Sequence, residues 1–222
     1  MNNIKNFIKL DYISIKPYLT IKNLIILLFI VGIMSVSMQQ IFIIFSASVL
    51  MGIIYVSYTF ATAEINEMDP LYLTLPNSKK DIVLGRYTFV FIVMLFTILA
   101  SLILALMFSY IIGLSFVIKD LLLVVFVNIY MFLMITSFQI PIYFRNGYSK
   151  SKAIALAPIY LLSFIIIILK KILDLLKIDV NKILLFVINN QFITITTSIL
   201  LLIFIMFMSI NLSIKFYEKR EF

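Results

Sequence analysis

Long hydrophobic runs without any charged side chain make up most of this chain. These runs cover residues 23–63, 87–118, 121–144, 153–169 and 183–214. A helix needs about 20 apolar residues to cross a bilayer, so the first run is long enough for two helices. The runs are apolar on all sides and lack the alternating polarity of membrane β-strands, which favours helices over a β-barrel.

Polar residues interrupt the first run at 35–40 and the last run at 189–191. These breaks predict an all-α membrane protein with one transmembrane domain over 1–222 and six spanning helices. The predicted spans lie near 23–38, 41–63, 88–113, 121–143, 153–169 and 192–214. The alternative is a five-span arrangement, in which the fifth of these segments lies on the membrane surface.

The composition agrees with a membrane protein, because 64% of the residues are hydrophobic and only 13% are charged. The chain has no His, Cys or Trp, which removes the commonest metal ligand and every thiol nucleophile. All charged residues fall outside the six predicted spans. We therefore expect no catalytic residue, no metal site, no cofactor bound by this chain and no enzymatic activity of its own.

The distribution of Lys and Arg predicts the orientation in the membrane. With the N-terminus inside, the inner segments hold 13 of these cations and the outer segments hold 5 of the 18. Cytoplasmic loops carry an excess of Lys and Arg, so both termini are expected in the cytoplasm.

Residues 1–22 form a basic, amphipathic segment ahead of the first span. Apolar residues such as Ile4, Phe7 and Ile15 recur at helical spacing, and lysines occupy most of the other side. This pattern predicts an elbow helix on the inner membrane surface, which Pro17 ends or kinks. A positively charged topology signal without a further role is the alternative. Segment 170–188 has a similar polar stripe and predicts an interfacial helix on the outer surface.

The polar residues within the predicted spans are small and uncharged. A weakly polar translocation surface would include Ser48, Thr59, Asn128 and Thr197. Such a surface would suit an amphipathic or lipid-like substrate better than an ion. The alternative is that these side chains only let neighbouring helices pack closely and hydrogen-bond.

The longest polar loop of the inner side covers residues 64–87. Within it, Ser78 followed by Asp81 resembles a capping box, in which each side chain bonds the backbone N–H of the other residue. We therefore predict a helix that starts near Ser78 and continues into the third span. Glu64, Glu67 and Asp69 form an acidic group at the start of the same loop.

The second half of this loop carries a sequence motif. It reads Leu75-Pro76-Asn77-Ser78-Lys79-Lys80-Asp81-Ile82-Val83-Leu84-Gly85-Arg86-Tyr87. It resembles the Leu-Pro-x-Ser-Arg/Lys-Lys-Asp/Glu-Ile-Val-x-Gly-Lys/Arg-Tyr stretch of small bacterial ABC type-2 permeases. The chain departs from that stretch at Asn77, where Val or Ile is frequent. The elbow, six spans, acidic loop and inward termini also match the layout of these permeases, whose fold is that of type V exporters.

The resemblance implies a permease subunit of an ATP-driven ABC exporter in the bacterial cytoplasmic membrane. Such a chain has no nucleotide-binding domain, and a separate ATPase subunit hydrolyses ATP with Mg. It also implies two permease subunits, as a homodimer or a heterodimer, each with an ATPase. The segment after the second span would form a cytoplasmic coupling helix that docks on the ATPase. The residues carried over to that role are Glu64, Glu67, Met68, Asp69, Leu71 and Tyr72.

Among such permeases, those of phenol-soluble modulin exporters are the ones that this chain resembles, which implies amphipathic peptides as the substrate. Export of drugs, lantibiotics or lipids fits the predicted spans equally well. Membrane lipid is the expected surrounding, and no nucleic-acid partner is expected. A different class of function is the alternative: a stand-alone membrane immunity or sensor-partner protein, which binds a peptide without transporting it.

Overall fold

The computed structural model describes residues 2–18, 29, 31–35, 37, 40, 42–68, 78–113, 117–175, 185 and 189–220. Its helices are α1 (Asn2–Ile15), α2 (Ile43–Ile65), α3 (Lys79–Ile112), α4 (Ile118–Asn146), α5 (Tyr148–Leu175) and α6 (Gln191–Lys219). A short 3₁₀ turn over Lys16–Tyr18 contains Pro17 and ends α1, as the sequence predicts. The described residues contain no β-strand.

Four helices of the described part are long and apolar enough to cross a membrane. They are Ile43–Ile65, Lys79–Ile111, Ile118–Asn146 and Gln191–Lys219. The predicted fifth span falls within α5. The predicted first span, near 23–38, lies largely outside the described residues, but its residues 31–35 are helical. Val31 of this stretch packs with Ile44 of α2 and Ala105 of α3.

The helices extend beyond the predicted spans at their charged ends. α3 begins at Lys79, as the predicted helix start near Ser78 requires, and α5 runs without interruption to Leu175. Residues 170–175 of the predicted interfacial segment are therefore the last residues of α5, and the rest of that segment, apart from residue 185, lies outside the described part. A change from apolar to charged residues marks the membrane boundary, but backbone hydrogen bonding from residue i to i−4 continues across it.

The start of α3 confirms the predicted capping box. Ser78 Oγ accepts a hydrogen bond from Asp81 N at 3.2 Å, and Asp81 Oδ2 accepts one from Ser78 N at 3.1 Å. The two side chains thereby satisfy backbone donors that have no partner within the helix. At the other end of α3, Gly113 adopts φ 73°, a left-handed conformation that ends the helix.

Several chain segments meet at one end of the helical bundle. α1 contacts the start of α3, the start of α3 contacts the end of α6, and the end of α2 contacts the start of α5. We call this the loop end. It comprises residues 2–18, 60–68, 78–87, 143–152 and 213–220.

The N-terminal helix packs directly on the bundle at the loop end. Phe7 and Ile15 of α1 are each only 3% exposed and belong to the same hydrophobic core as residues of α2, α3 and α4. Phe7 lies against Gly85 of α3, where a Cβ atom would come within 2.9 Å of the Phe7 Cβ. The apolar face predicted for α1 is therefore used in part for packing within the protein, while Tyr12 and Ile13 remain exposed.

The close approach of α1 to α3 predicts that the effect of a substitution at Gly85 depends on the residue at position 7. Gly85→Ala should lower the free energy of unfolding by about 1–3 kcal/mol, because the new methyl group pushes Phe7 away. In a Phe7→Gly background the same change should cost much less, since the Phe7 Cβ atom that obstructs the new methyl group is gone. Thermal unfolding in detergent, followed by circular dichroism, measures both values. Equal losses in the two backgrounds would contradict this packing.

Candidate functional site at the loop end of the bundle

α2 ends in a defined turn at the start of the acidic loop. Asn66 donates two hydrogen bonds to the Thr62 carbonyl, from N at 3.0 Å and from Nδ2 at 2.9 Å. Glu67 follows with φ 49°, in the left-handed region that few non-glycine residues adopt. Its side chain is exposed, while Met68 packs against the core. The chain therefore leaves α2 in a fixed direction with one acid facing outward.

The side chain of Glu64 turns towards α5. Its Oε2 accepts hydrogen bonds from the backbone N–H groups of Tyr148 and of Ser149, the latter at 3.1 Å. The preceding Gly147 has φ 78°, and a Cβ there would lie 3.0 Å from Glu64 Oε2 and 3.3 Å from Arg220 Nη2. The sequence predicts Glu64 as one of the acids that meet an ATPase, but its carboxylate lies on the N-terminus of α5.

Lys79 of the motif contacts the end of α6. Its Nζ donates to three backbone carbonyls, at 3.1 Å to Glu218, 3.4 Å to Tyr217 and 3.4 Å to Arg220. The last carbonyls of a helix lack partners within the helix and carry partial negative charge, so a cation there is favourable. The neighbouring Lys80 is exposed.

Arg86 is buried in a charged contact between α3 and α1. Its Nη1 lies 2.7 Å from Asp11 Oδ1, and the two side chains are only 4% and 5% exposed. The guanidinium also lies 4.5 Å from the centre of the Phe60 ring. Burial raises the pKa of the Asp11 carboxyl to about 6, and the positive charge of Arg86 opposes this rise. Arg86 is an interior residue of α3, in agreement with the predicted helix that starts near Ser78 and continues into the third span.

Tyr87 joins α3 to α6 and α4 through hydroxyl groups. Its hydroxyl is hydrogen-bonded to Ser209 Oγ and, at 3.0 Å, to Ser213 Oγ. Ser209 Oγ donates to the Ser137 carbonyl at 2.6 Å. Because Ser209 has a single hydroxyl proton, Tyr87 donates to Ser209 and accepts from Ser213.

An aromatic cluster completes the loop end. The ring of Phe60 lies 4.9 Å from that of Tyr143 and 5.2 Å from that of Phe144, and Phe144 lies 5.0 Å from Tyr217. These contacts link α2, α4 and α6. A small cavity borders the cluster. Its charged lining residues are Glu64, Arg86 and Arg220.

The structure brings most of the motif into one packed region. The motif residues with an intramolecular contact there are Ser78, Lys79, Asp81, Gly85, Arg86 and Tyr87. The other predicted site residues Asp69, Leu71, Tyr72, Leu75 and Pro76 lie outside the described part.

Sequence reasoning did not identify Asp11 as a partner of this motif. The signal was present, because Asp11 stands four residues after Phe7 and four before Ile15. A charged residue on the apolar side of an amphipathic helix requires a buried partner.

The four residues of the predicted translocation surface lie on α2, α4 and α6. They donate to carbonyls of their own helices: Ser48 to Phe45, Thr59 to Val56, Asn128 to Val124, and Thr197 to Ile193. Gln139 of α4 is a further polar group, fully buried, and both of its amide atoms lack hydrogen-bond partners within the described part. No acidic cluster among the described residues could hold a metal ion.

The buried ion pair predicts that two arginines of the loop end differ greatly in how much they contribute to the free energy of unfolding. Arg86→Met should lower the free energy of unfolding by about 3–5 kcal/mol, because the Asp11 carboxylate loses its buried partner. Arg145→Met is the matched control, since exposed Arg145 also lies over a phenylalanine ring, 5.3 Å from the centre of Phe216. Arg145→Met should lower the free energy of unfolding by less than about 1 kcal/mol. Similar losses in thermal unfolding experiments would contradict this assignment.

The comparisons with known proteins agree with the resemblance of the motif. A family model described as ABC-2 family transporter protein matches residues 6–218. The searches of curated proteins and of solved structures gave no significant match. The matched region includes most of α1, the motif and almost all of α6, and thus part or all of every helix of the loop end. The chain is an integral membrane protein of the ABC-2 transporter family, the permease components of ABC transporters that work with an ABC ATPase subunit.

Proposed function

We propose that this chain is the permease subunit of an exporter in the bacterial cytoplasmic membrane, and that it moves amphipathic or hydrophobic substrates such as peptides out of the cell. A separate ATPase supplies the energy and acts through residues 64–87. The observation that carries this proposal is the family match over residues 6–218, which contains almost all of the membrane helices and most of the loop end.

The proposed docking surface for the ATPase is the segment that leaves α2. Glu67 supports this assignment, because it is exposed and the turn at the end of α2 holds it outside the bundle. Glu67 and Asp69 would meet basic groups of the ATPase. Met68, Leu71 and Tyr72 would supply the apolar contacts that a groove on the partner requires.

The charges of the loop end support a cytoplasmic location for this docking surface. Cations with described backbone at this end are Lys5, Lys9, Lys16, Lys79, Lys80, Arg86, Arg145, Lys150, Lys152, Lys215, Lys219 and Arg220. Lys119, by contrast, lies at the start of α4, near the opposite end of the bundle. Under the positive-inside rule, the loop end, which includes α1 and the end of α6, faces the cytoplasm.

The interior polar groups support an amphipathic substrate rather than an ion. Among the described residues, the buried charges are Asp11 and Arg86, and these neutralise each other at the loop end. The other buried polar side chains are hydroxyls and amides. We assign Gln139 to the translocation surface together with the four predicted residues, because an unpaired buried amide gains from a hydrogen-bonding substrate. A pair of permease subunits, with two ATPase subunits, completes the proposed transporter.

Charge reversal in the loop tests the ATPase interaction. The double variant Glu67→Lys and Asp69→Lys should weaken association with the ABC ATPase subunit by about tenfold or more, because attraction becomes repulsion. Export should fall together with this association. Co-purification from membranes measures association, and a deletion strain complemented with each variant measures export.

Two controls accompany this test. Glu218→Lys reverses an exposed acid on α6 at the same end of the bundle and should leave association unchanged. Glu67→Asn removes the charge but keeps the left-handed backbone, which asparagine tolerates well. It therefore separates the effect of the charge from the effect of the turn. Unchanged association and export in the double variant would refute the docking surface. A chain that binds peptide but no ATPase would favour the stand-alone alternative.

A further inference from the structure

The acidic loop is fixed at both of its ends by a charged side chain placed on a helix terminus. Glu64 precedes the loop and contacts the first N–H groups of α5. Lys79 follows the loop and contacts the last carbonyls of α6. These two contacts join the segment 66–78 to two helices that do not flank it in the sequence.

Each charge has the sign that its helix terminus favours. The N-terminus of α5 presents unpaired N–H groups and a partial positive charge, which the Glu64 carboxylate neutralises. The C-terminus of α6 presents its last carbonyls and a partial negative charge, which the Lys79 ammonium neutralises. Both contacts are charge-assisted hydrogen bonds, which are stronger than neutral ones.

The local geometry is fitted to the Glu64 contact. Gly147, between α4 and α5, leaves space for the carboxylate, because a Cβ at that position would come within 3.0 Å of Glu64 Oε2. Its φ of 78° is also unfavourable for residues with a side chain. Arg220 Nη2 lies close to the same position, so the end of α6 and the end of α2 approach each other around the α4–α5 turn.

We propose that Glu64 and Lys79 are positioning residues that transmit a displacement of the 66–78 segment to α5 and α6. This inference rests on the proposed function, in which an ATPase moves that segment. A movement of the loop pulls or pushes both helix termini, because the two charged contacts resist separation. α6 in turn packs along α4 and contacts α3, so the displacement reaches the membrane interior.

The test uses the complete transporter, with the ATPase bound. Glu64→Gln and Lys79→Gln should retain ATPase association and ATP hydrolysis within about twofold, while substrate exported per ATP hydrolysed falls about tenfold. Lys79→Arg keeps a cation at the α6 terminus and should retain coupling. The measurements are co-purification, ATP hydrolysis in proteoliposomes and substrate accumulation in the same vesicles.

The chain offers matched controls for both charges. Lys215→Gln removes an exposed lysine elsewhere at the loop end, and Asp120→Asn removes an exposed acid at the start of α4. Both should export normally. Gly147→Ala disturbs the Glu64 contact without changing any charge, and it should reproduce the uncoupling of Glu64→Gln.

The outcomes separate this inference from the proposed function. Failure of the unaltered chain to bind an ATPase would refute the proposed function itself. Normal export per ATP in Glu64→Gln and Lys79→Gln, with the ATPase bound, would overturn only the transmission role. A loss of association or of thermal stability that accounts for the whole loss of export would also overturn it, because the residues would then act only on assembly or folding.

Discussion

Helix termini impose the constraint on which the loop end of this protein depends. A helix leaves its first N–H groups and last carbonyls without internal partners, and these groups are costly to bury away from water. At the loop end, side chains provide hydrogen-bond partners for three helix termini. For two termini the side chain comes from another helix, and for the third it comes from the capping box. Glu64 satisfies α5, Lys79 satisfies α6, and Ser78 with Asp81 satisfies α3. The same contacts fix where the acidic loop leaves and rejoins the bundle.

This arrangement gives the family motif a structural explanation. Gly85 admits the N-terminal helix, Arg86 pairs with Asp11 of that helix, and Tyr87 ties α3 to two serines of α6. Three successive residues thus hold two different neighbours of α3, the helices α1 and α6, in place. A motif that looks like part of a polar loop in the sequence is therefore the packing centre of the bundle end.

The acids of the loop end divide into two kinds. Glu64, Asp81 and Asp11 are engaged by N–H groups or by an arginine, whereas Glu67 and Glu218 are exposed. In the proposed transporter, the engaged acids keep the loop attached to the helices, and Glu67, the exposed acid of the loop itself, is available to a partner. An ATP-driven movement requires both, because a docking surface that is not anchored to the membrane helices transmits no displacement.

The sequence by itself determined the membrane class, the helical elements and the capping box, because these depend on local composition and on residues three positions apart. It also indicated the family, through a motif of 13 consecutive residues. It did not determine the ends of α5, because charge marks the membrane surface and not the end of backbone hydrogen bonding. Only the tertiary structure paired Arg86 with Asp11 and placed Glu64 on α5, since these partners lie 75 and 84 residues apart and no local pattern connects them.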